Sequence, residues 1–283
     1  MSVRDTAPNK QAQDRSNFIT RVLTALVAGP IVLLIVYLGG WPYVLLAALL
    51  GVLAVIEFDL LGRDRDMQGN ALISVVALLA ILASFMAGLY WLMVVILLLA
   101  GAAVYAVETL RGAARPAYRL LTTVAGLIYI AFPCAFLIGI RQRPDGLLWL
   151  FLVIAFTWGT DTFAYLGGRL WGRHPLAPRI SPKKTVEGAV VGLIGGLVPG
   201  VLILALGNRL TPATVALALV APPVAIMGDL FESRIKRFFH AGDSHLSGLN
   251  ILPGHGGVLD RTDSLIWVVT LCYGFILLTG LTG

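Results

Sequence analysis

Long apolar runs separated by short polar segments dominate the chain from residue 22 onward. A membrane-spanning helix needs about 20 mostly apolar residues. Nine runs approach that length: 22–38, 43–61, 71–89, 90–107, 120–140, 147–166, 186–206, 211–227 and 265–281. Only an uncharged turn near Gly88 separates the third from the fourth. Pro30, Pro133, Pro199, Pro222 and Pro223 fall inside or beside these runs; each removes a backbone donor and predicts a kink. The pattern predicts an all-α fold, a polytopic transmembrane helical bundle of about nine spans. Residues 1–21 form a polar segment and 22–283 a single transmembrane domain, with no evident internal repeat. The first residues lack the apolar centre of a cleavable signal, so the first span is expected to remain in the protein.

Composition agrees with lipid as the solvent. Of 283 residues, 58% are hydrophobic and 13% charged, against about 25% charged in soluble domains. The net charge of +6 follows from loop lysines and arginines and does not indicate nucleic-acid binding. If the N-terminus is cytoplasmic, all but Arg141, Arg143 and Arg209 of the 21 Lys and Arg residues fall on the inner side. That bias predicts a cytoplasmic N-terminus and an odd span count. Cys134 and Cys272 lie far apart in apolar runs, so neither a disulfide framework nor a zinc site is expected.

Two inner loops, 167–188 and 228–264, concentrate the chemistry. Ser181-Pro182-Lys183-Lys184-Thr185 reads as a helix start, with Ser181 as N-cap and two lysines in the first turn. The helix dipole disfavours lysines there unless an anion is bound; the alternative is a flank that snorkels to lipid phosphates. In the run from Gly254 to Asp263, three glycines in four positions (Gly254, Gly256, Gly257) allow close backbone approach to a ligand. Asp260 and Asp263 follow at i, i+3 and share a helix face. A hard cation such as Mg²⁺ would relieve their repulsion; the alternative is a solvated turn and helix cap. His255 could contact phosphate or act in proton transfer, and Arg261 could contact phosphate or offset charge.

Between these lies Gly228 to Phe239. Asp229, Glu232, Ser233 and Lys236 form one polar face, and Phe231, Ile235, Phe238 and Phe239 an apolar one, as in an interfacial helix. Asp229 is the member best placed to reach a metal. Asp161 sits within a span, which is costly and suggests function; an interhelical hydrogen bond is the alternative. Trp158, Asp161, Thr162 and Tyr165 form a stripe expected to face the bundle interior. Glu57 is expected to pair with Arg63. His174, His240 and His245 have no metal-ligand spacing.

The stretches DTFAYLGGRLWGRHPLAPRISPKKTVEG and GDLFESRIKR…LPGHGGVLDRTDSL resemble the phosphatidate cytidylyltransferase, or CDP-diacylglycerol synthase, family. Ser233, Lys236, Arg237, His255, Gly256, Gly257, Asp260, Arg261 and Asp263 match its signature region. The resemblance implies CTP and phosphatidic acid as substrates, CDP-diacylglycerol and pyrophosphate as products, and Mg²⁺ as cofactor, with K⁺ used by some members. It implies Asp229, Asp260 and Asp263 as metal and catalytic carboxylates. Ser181, Lys183, Lys184, Lys236, Arg237, His255, Gly256, Gly257 and Arg261 become substrate-binding residues, with Lys184 also catalytic and Asp161 a further candidate. It also implies a bacterial inner membrane, a cytoplasmic active site, no nucleic acid, and room for a homodimer. Gly242-Asp243 stands where the family usually has Lys-Asp, and the stretch 244–252 looks about four residues longer than usual. The alternatives are a CTP-dependent polyprenol-type lipid kinase, which releases CDP, and a transporter of an anionic solute. The concentration of charge in two loops and the lack of a repeat count against the transporter.

Overall fold

A computed structural model describes residues 29–239 and 257–280. The polar N-terminal segment, His255, Gly256, Gly242-Asp243 and the stretch 244–252 lie outside the described residues.

Helices account for nearly all of the described chain. They are α1 (Gly29–Leu38), α2 (Gly40–Leu61), α3 (Ala71–Met86) and α4 (Tyr90–Leu110), then α5 (Pro116–Gly126) and α6 (Phe132–Arg141). They continue with α7 (Gly146–Ile154), α8 (Thr160–Trp171), α9 (Val186–Leu206), α10 (Pro212–Phe238) and α11 (Leu259–Thr279). A hairpin of β1 (Pro175–Ala177) and β2 (Ser181–Thr185) interrupts them. Among the described residues, seven helical segments are long and apolar enough to cross a membrane: Gly40–Arg65, Tyr90–Leu110, Pro116–Arg141, Gly146–Trp171, Val186–Leu206, Pro212–Phe238 and Leu259–Thr279. This is a multi-pass membrane bundle. The third apolar run forms a helix of only 16 residues, about 24 Å long, against a hydrocarbon core of about 30 Å.

Leu72, Leu98, Leu99, Leu206 and Leu278 are more than 60% exposed, as lipid-facing side chains should be. Inside, Val55, Leu78, Ile81, Ile130, Ile138, Trp149, Phe156 and Leu204 are sealed from any solvent.

Two spans contain a π-helical turn. Leu127–Ala131 joins α5 to α6 just before Pro133, whose ring would otherwise strike the carbonyl of Tyr129. Ala155–Gly159 joins α7 to α8, and the hydroxyls of Thr157 and Thr160 donate to Val153 O (2.8 Å) and Phe156 O (2.6 Å). Close packing follows on α8 and α9. Gly188, Gly192, Gly195, Gly196 and Gly200 are buried along α9. A Cβ at Gly192 would lie 2.7 Å from Ala164 Cβ and 2.8 Å from Thr160 O. Small residues let helices approach in lipid, where apolar burial gives little drive.

Three boundaries differ from the sequence expectation. Ser181–Thr185 is a strand, not a helix start: Pro175 pairs with Thr185 and Ala177 with Ser181. The N-cap is Thr185, which accepts from Gly188 N at 3.1 Å. Both lysines therefore precede the helix, and Glu187 occupies the first turn, where the dipole favours an acid. Its carboxylate also accepts from Arg173 N (3.0 Å) and His174 N (3.2 Å), tying the hairpin to α9. Next, α10 runs unbroken through Pro222 and Pro223 for 27 residues. At about 40 Å it overshoots the hydrocarbon, carrying the polar face after Gly228 out of the core without a separate interfacial helix. Finally, α11 begins at Leu259, so Asp260 and Asp263 lie in its first turns.

The start of α11 is held from a distance. Glu57 on α2, only 4% exposed, accepts from Val258 N at 3.0 Å and Leu259 N at 2.8 Å. A carboxylate there satisfies two orphan donors and faces the positive end of the dipole. This task replaces the Arg63 partnership expected from sequence as the reason for an acid in α2.

Glu57→Ala should destabilise the protein by about 3 kcal/mol, and Glu57→Gln by less, because it keeps one acceptor. Thermal unfolding in detergent measures both. Gly192→Leu should lower the unfolding midpoint far more than Gly274→Ala, since a Cβ at Gly274 meets nothing within 4 Å.

Candidate active site

Four elements bring charge to one end of the bundle: α8, the hairpin, α10 and α11. The approach of α10 to α11 is set at Gly228. A Cβ there would lie 3.0 Å from the Asp263 carbonyl oxygen and 2.8 Å from the Trp267 ring. Only glycine permits that spacing, and the next residue on α10 is Asp229. The close pass therefore delivers the Asp229 carboxylate beside Asp263.

One group of charges forms around that crossing. Lys184, from β2, makes an ion pair with Asp229 Oδ2. Asp263 is 8% exposed and accepts from Ser264 N at 2.7 Å. The Ser264 hydroxyl donates to Asp161 Oδ2 at 3.1 Å, so Ser264 joins the two carboxylates of α8 and α11. Asp229 lies close enough to both Asp161 and Asp263 to repel them electrostatically. Phe231 meets the Trp267 ring edge-on at a centroid distance of 5.2 Å, giving this group an aromatic flank.

A second group lies along α10. Lys236 Nζ sits 2.8 Å from Glu232 Oε1 and 2.8 Å from Asp260 Oδ1. The other Asp260 oxygen accepts from Gly257 N at 3.4 Å, closing the turn ahead of α11. Asp260 and Asp263, neighbours in sequence, thus serve different groups. Glu232 is 1% exposed, and among the described residues Lys236 is the cation paired with it.

Of the other expected residues, Arg237 Nε donates to Ile180 O at 3.3 Å, pinning the hairpin turn to α10. Ser181 is half-buried on β2; Lys183 is exposed, and Arg261 is exposed on the first turn of α11. His255 and Gly256 lie outside the described residues. The expected interior stripe of α8 is not formed: Trp158 and Tyr165 are 51% and 64% exposed, and only Asp161 turns inward. The reason is the glycine contact with α9, which takes up the Thr160, Ala164 and Gly167 face of the helix.

Sequence reading passed over Glu232 and Ser264 as site residues. Their signal was present: Glu232 stands four residues before Lys236, and Ser264 follows Asp263. Neither position reveals its partner without the fold. Among the described residues, no three Asp, Glu, His or Cys side chains converge as a ready-made metal cage. The donors are nevertheless carboxylate oxygens, and Mg²⁺ commonly takes one or two carboxylates and completes its shell with water and substrate phosphates.

The site is therefore a cluster of buried and half-buried acids interleaved with lysines, a donor set suited to hold a polyanion and a cation together. A family model described as the cytidylyltransferase family matches residues 19–279. A phosphatidate cytidylyltransferase of Brucella abortus is 36% identical over 271 residues, covering 92% of this chain and 93% of the relative. Those of Staphylococcus haemolyticus and Staphylococcus aureus are 34% and 32% identical over 254 residues, each covering 89% of this chain and 96% of the relative. A match along nearly the whole chain, with the clustered charges inside it, shows that this protein belongs to the cytidylyltransferase family.

Proposed function

We propose that the protein is a phosphatidate cytidylyltransferase, converting CTP and phosphatidic acid to CDP-diacylglycerol and pyrophosphate. The observation that carries this reading is the convergence of Lys184, Asp229 and Asp263 from three separate elements at one end of the bundle. The Lys and Arg bias of the loops supports a cytoplasmic face for that end, where CTP is available.

The chemistry needs no general base. An oxygen of the lipid phosphate, already anionic, attacks the α-phosphorus of CTP. The bond from that phosphorus to the oxygen bridging to the β-phosphate breaks, and pyrophosphate leaves with the electron pair. What the protein must do is bring anions together and stabilise charge as it spreads over oxygens. Lys184 and Lys236 supply that from the hairpin and α10, with Lys183, Arg237 and Arg261 at the rim. Asp229 and Asp263 would hold Mg²⁺ together with triphosphate oxygens. Bound there, Mg²⁺ supplies charge neutralisation and orients the phosphates. Asp260 positions Lys236, and Ser264 keeps Asp161 and Asp263 in fixed relation.

Purified protein supplied with phosphatidic acid and CTP should release pyrophosphate and form CDP-diacylglycerol. Release of CDP instead would point to a lipid kinase, and solute uptake without CTP to a transporter. Chelation should abolish turnover and added Mg²⁺ restore it. Asp263→Asn should lower kcat by about a hundredfold or more; near-normal Mg²⁺-dependent turnover in that variant would remove it from the metal site. Lys184→Met should raise KM for CTP and lower kcat, with Lys184→Arg recovering part of both.

A further inference from the structure

At the end of the bundle opposite the acidic cluster lies a cavity of about 400 Å³. It is formed where α2 begins, α3 ends and α6 ends, with Trp41, Tyr43, Met86, Ile138, Arg141 and Arg143 in its wall. Along α2 alone, Tyr43 and Glu57 stand 14 residues apart, about 21 Å of helix. The cavity therefore belongs to the other membrane face.

Its electrostatics are one-sided. Two guanidinium groups line it and, among the described residues, no carboxylate does. The acid nearest in sequence, Asp145, is engaged elsewhere: its Oδ2 sits 3.2 Å from Arg209 and accepts from Trp149 Nε1 at 3.2 Å. Arg141 is fixed in place, donating from Nε to Val36 O (2.8 Å) and from Nη2 to Tyr37 O (2.7 Å), the last carbonyls of α1. Arg143 stands beside the Tyr273 hydroxyl. The guanidinium N–H groups that these contacts leave over, in a partly apolar wall, suit a phosphate group, whose oxygens accept charge-assisted hydrogen bonds.

The depth of the cavity identifies the kind of phosphate. Tyr37, Trp41, Tyr90 and Trp91 surround this end of the bundle and are 58–68% exposed. Exposed Tyr and Trp at helix ends mark the membrane–water interface, the level of lipid headgroups. Met86 and Ile138 supply the apolar part of the wall, against which the glycerol end of a lipid headgroup could pack.

We propose that this cavity binds the phosphate group of an anionic phospholipid drawn from the leaflet opposite the candidate active site. The site is separate from the catalytic cluster and stands whether or not the activity above is correct. Binding is measured on the purified full chain in detergent, by the thermal unfolding midpoint and by native mass spectrometry. The probes are phosphatidylglycerol, phosphatidylcholine and inorganic phosphate. Phosphatidylglycerol should raise the midpoint more than phosphatidylcholine does. Arg143→Gln should weaken its binding about tenfold, the loss expected for a charge-assisted hydrogen bond, with Arg143→Lys intermediate. Met86→Trp, which narrows the cavity and keeps both guanidiniums, should also weaken binding. A matching response to inorganic phosphate assigns the site to free anions; a response confined to the lipid assigns it to the headgroup. Equal responses to the two lipids, or undiminished phosphatidylglycerol binding in both Arg143→Gln and Met86→Trp, would overturn the proposal.

Discussion

Charge sequestered in a lipid-embedded bundle must be met by opposite charge, and the candidate site is arranged around that requirement. Five acids, Asp161, Asp229, Glu232, Asp260 and Asp263, gather where α8, α10 and α11 pack together. An isolated carboxylate moved out of water loses several kcal/mol of hydration even after relaxation. Lys184 and Lys236 offset that loss, one from a strand and one from the same helix as two of the acids. The lysines do not decorate a loop; they are the condition for the acids being there at all. The same arrangement gives the site its chemical range, since groups placed to neutralise one another are also placed to bind phosphate and cation.

Geometry makes the arrangement specific. Gly228 sets how near α10 may pass to α11, and Glu57 fixes where α11 starts. The first acts by omission of a side chain and the second by a carboxylate reaching the backbone of a helix 201 residues further on. A crossing that is 1 Å too wide separates Asp229 from Asp263, and an uncapped α11 lets Asp260 and Asp263 drift. The candidate site thus depends on α2, which supplies none of the five clustered acids or the two lysines.

Much of this was legible before any coordinates. Hydropathy located the apolar helices, because lipid tolerates only closed backbone hydrogen bonding, but of the nine runs it marked, seven lie in helices long enough to span among the described residues. The errors cluster where charge and helix coincide. Asp260, Arg261 and Asp263 ended the apolar run, so α11 appeared to start later than it does. Ser181-Pro182 looked like a helix cap, whereas the cap four residues on, Thr185, carries the Glu187 that ties down the hairpin. Glu57 seemed a local partner for Arg63 because its real acceptor role joins segments that no periodicity connects. Asp229, Lys184 and Asp263 could be named from residue type and resemblance, but their meeting point depends on one glycine contact.

The hairpin is too small to stand alone. Strands of three and five residues give a two-stranded ribbon that water would unravel. Beyond its base on α9, two links hold it against α10: Lys184 to Asp229, and the Ile180 carbonyl to Arg237. Both use a cationic side chain that an incoming polyanion would also seek. A polyanion bound there would compete with Asp229 for the Lys184 ammonium and with the Ile180 carbonyl for Arg237, so the links that latch the ribbon are also the groups a ligand would load.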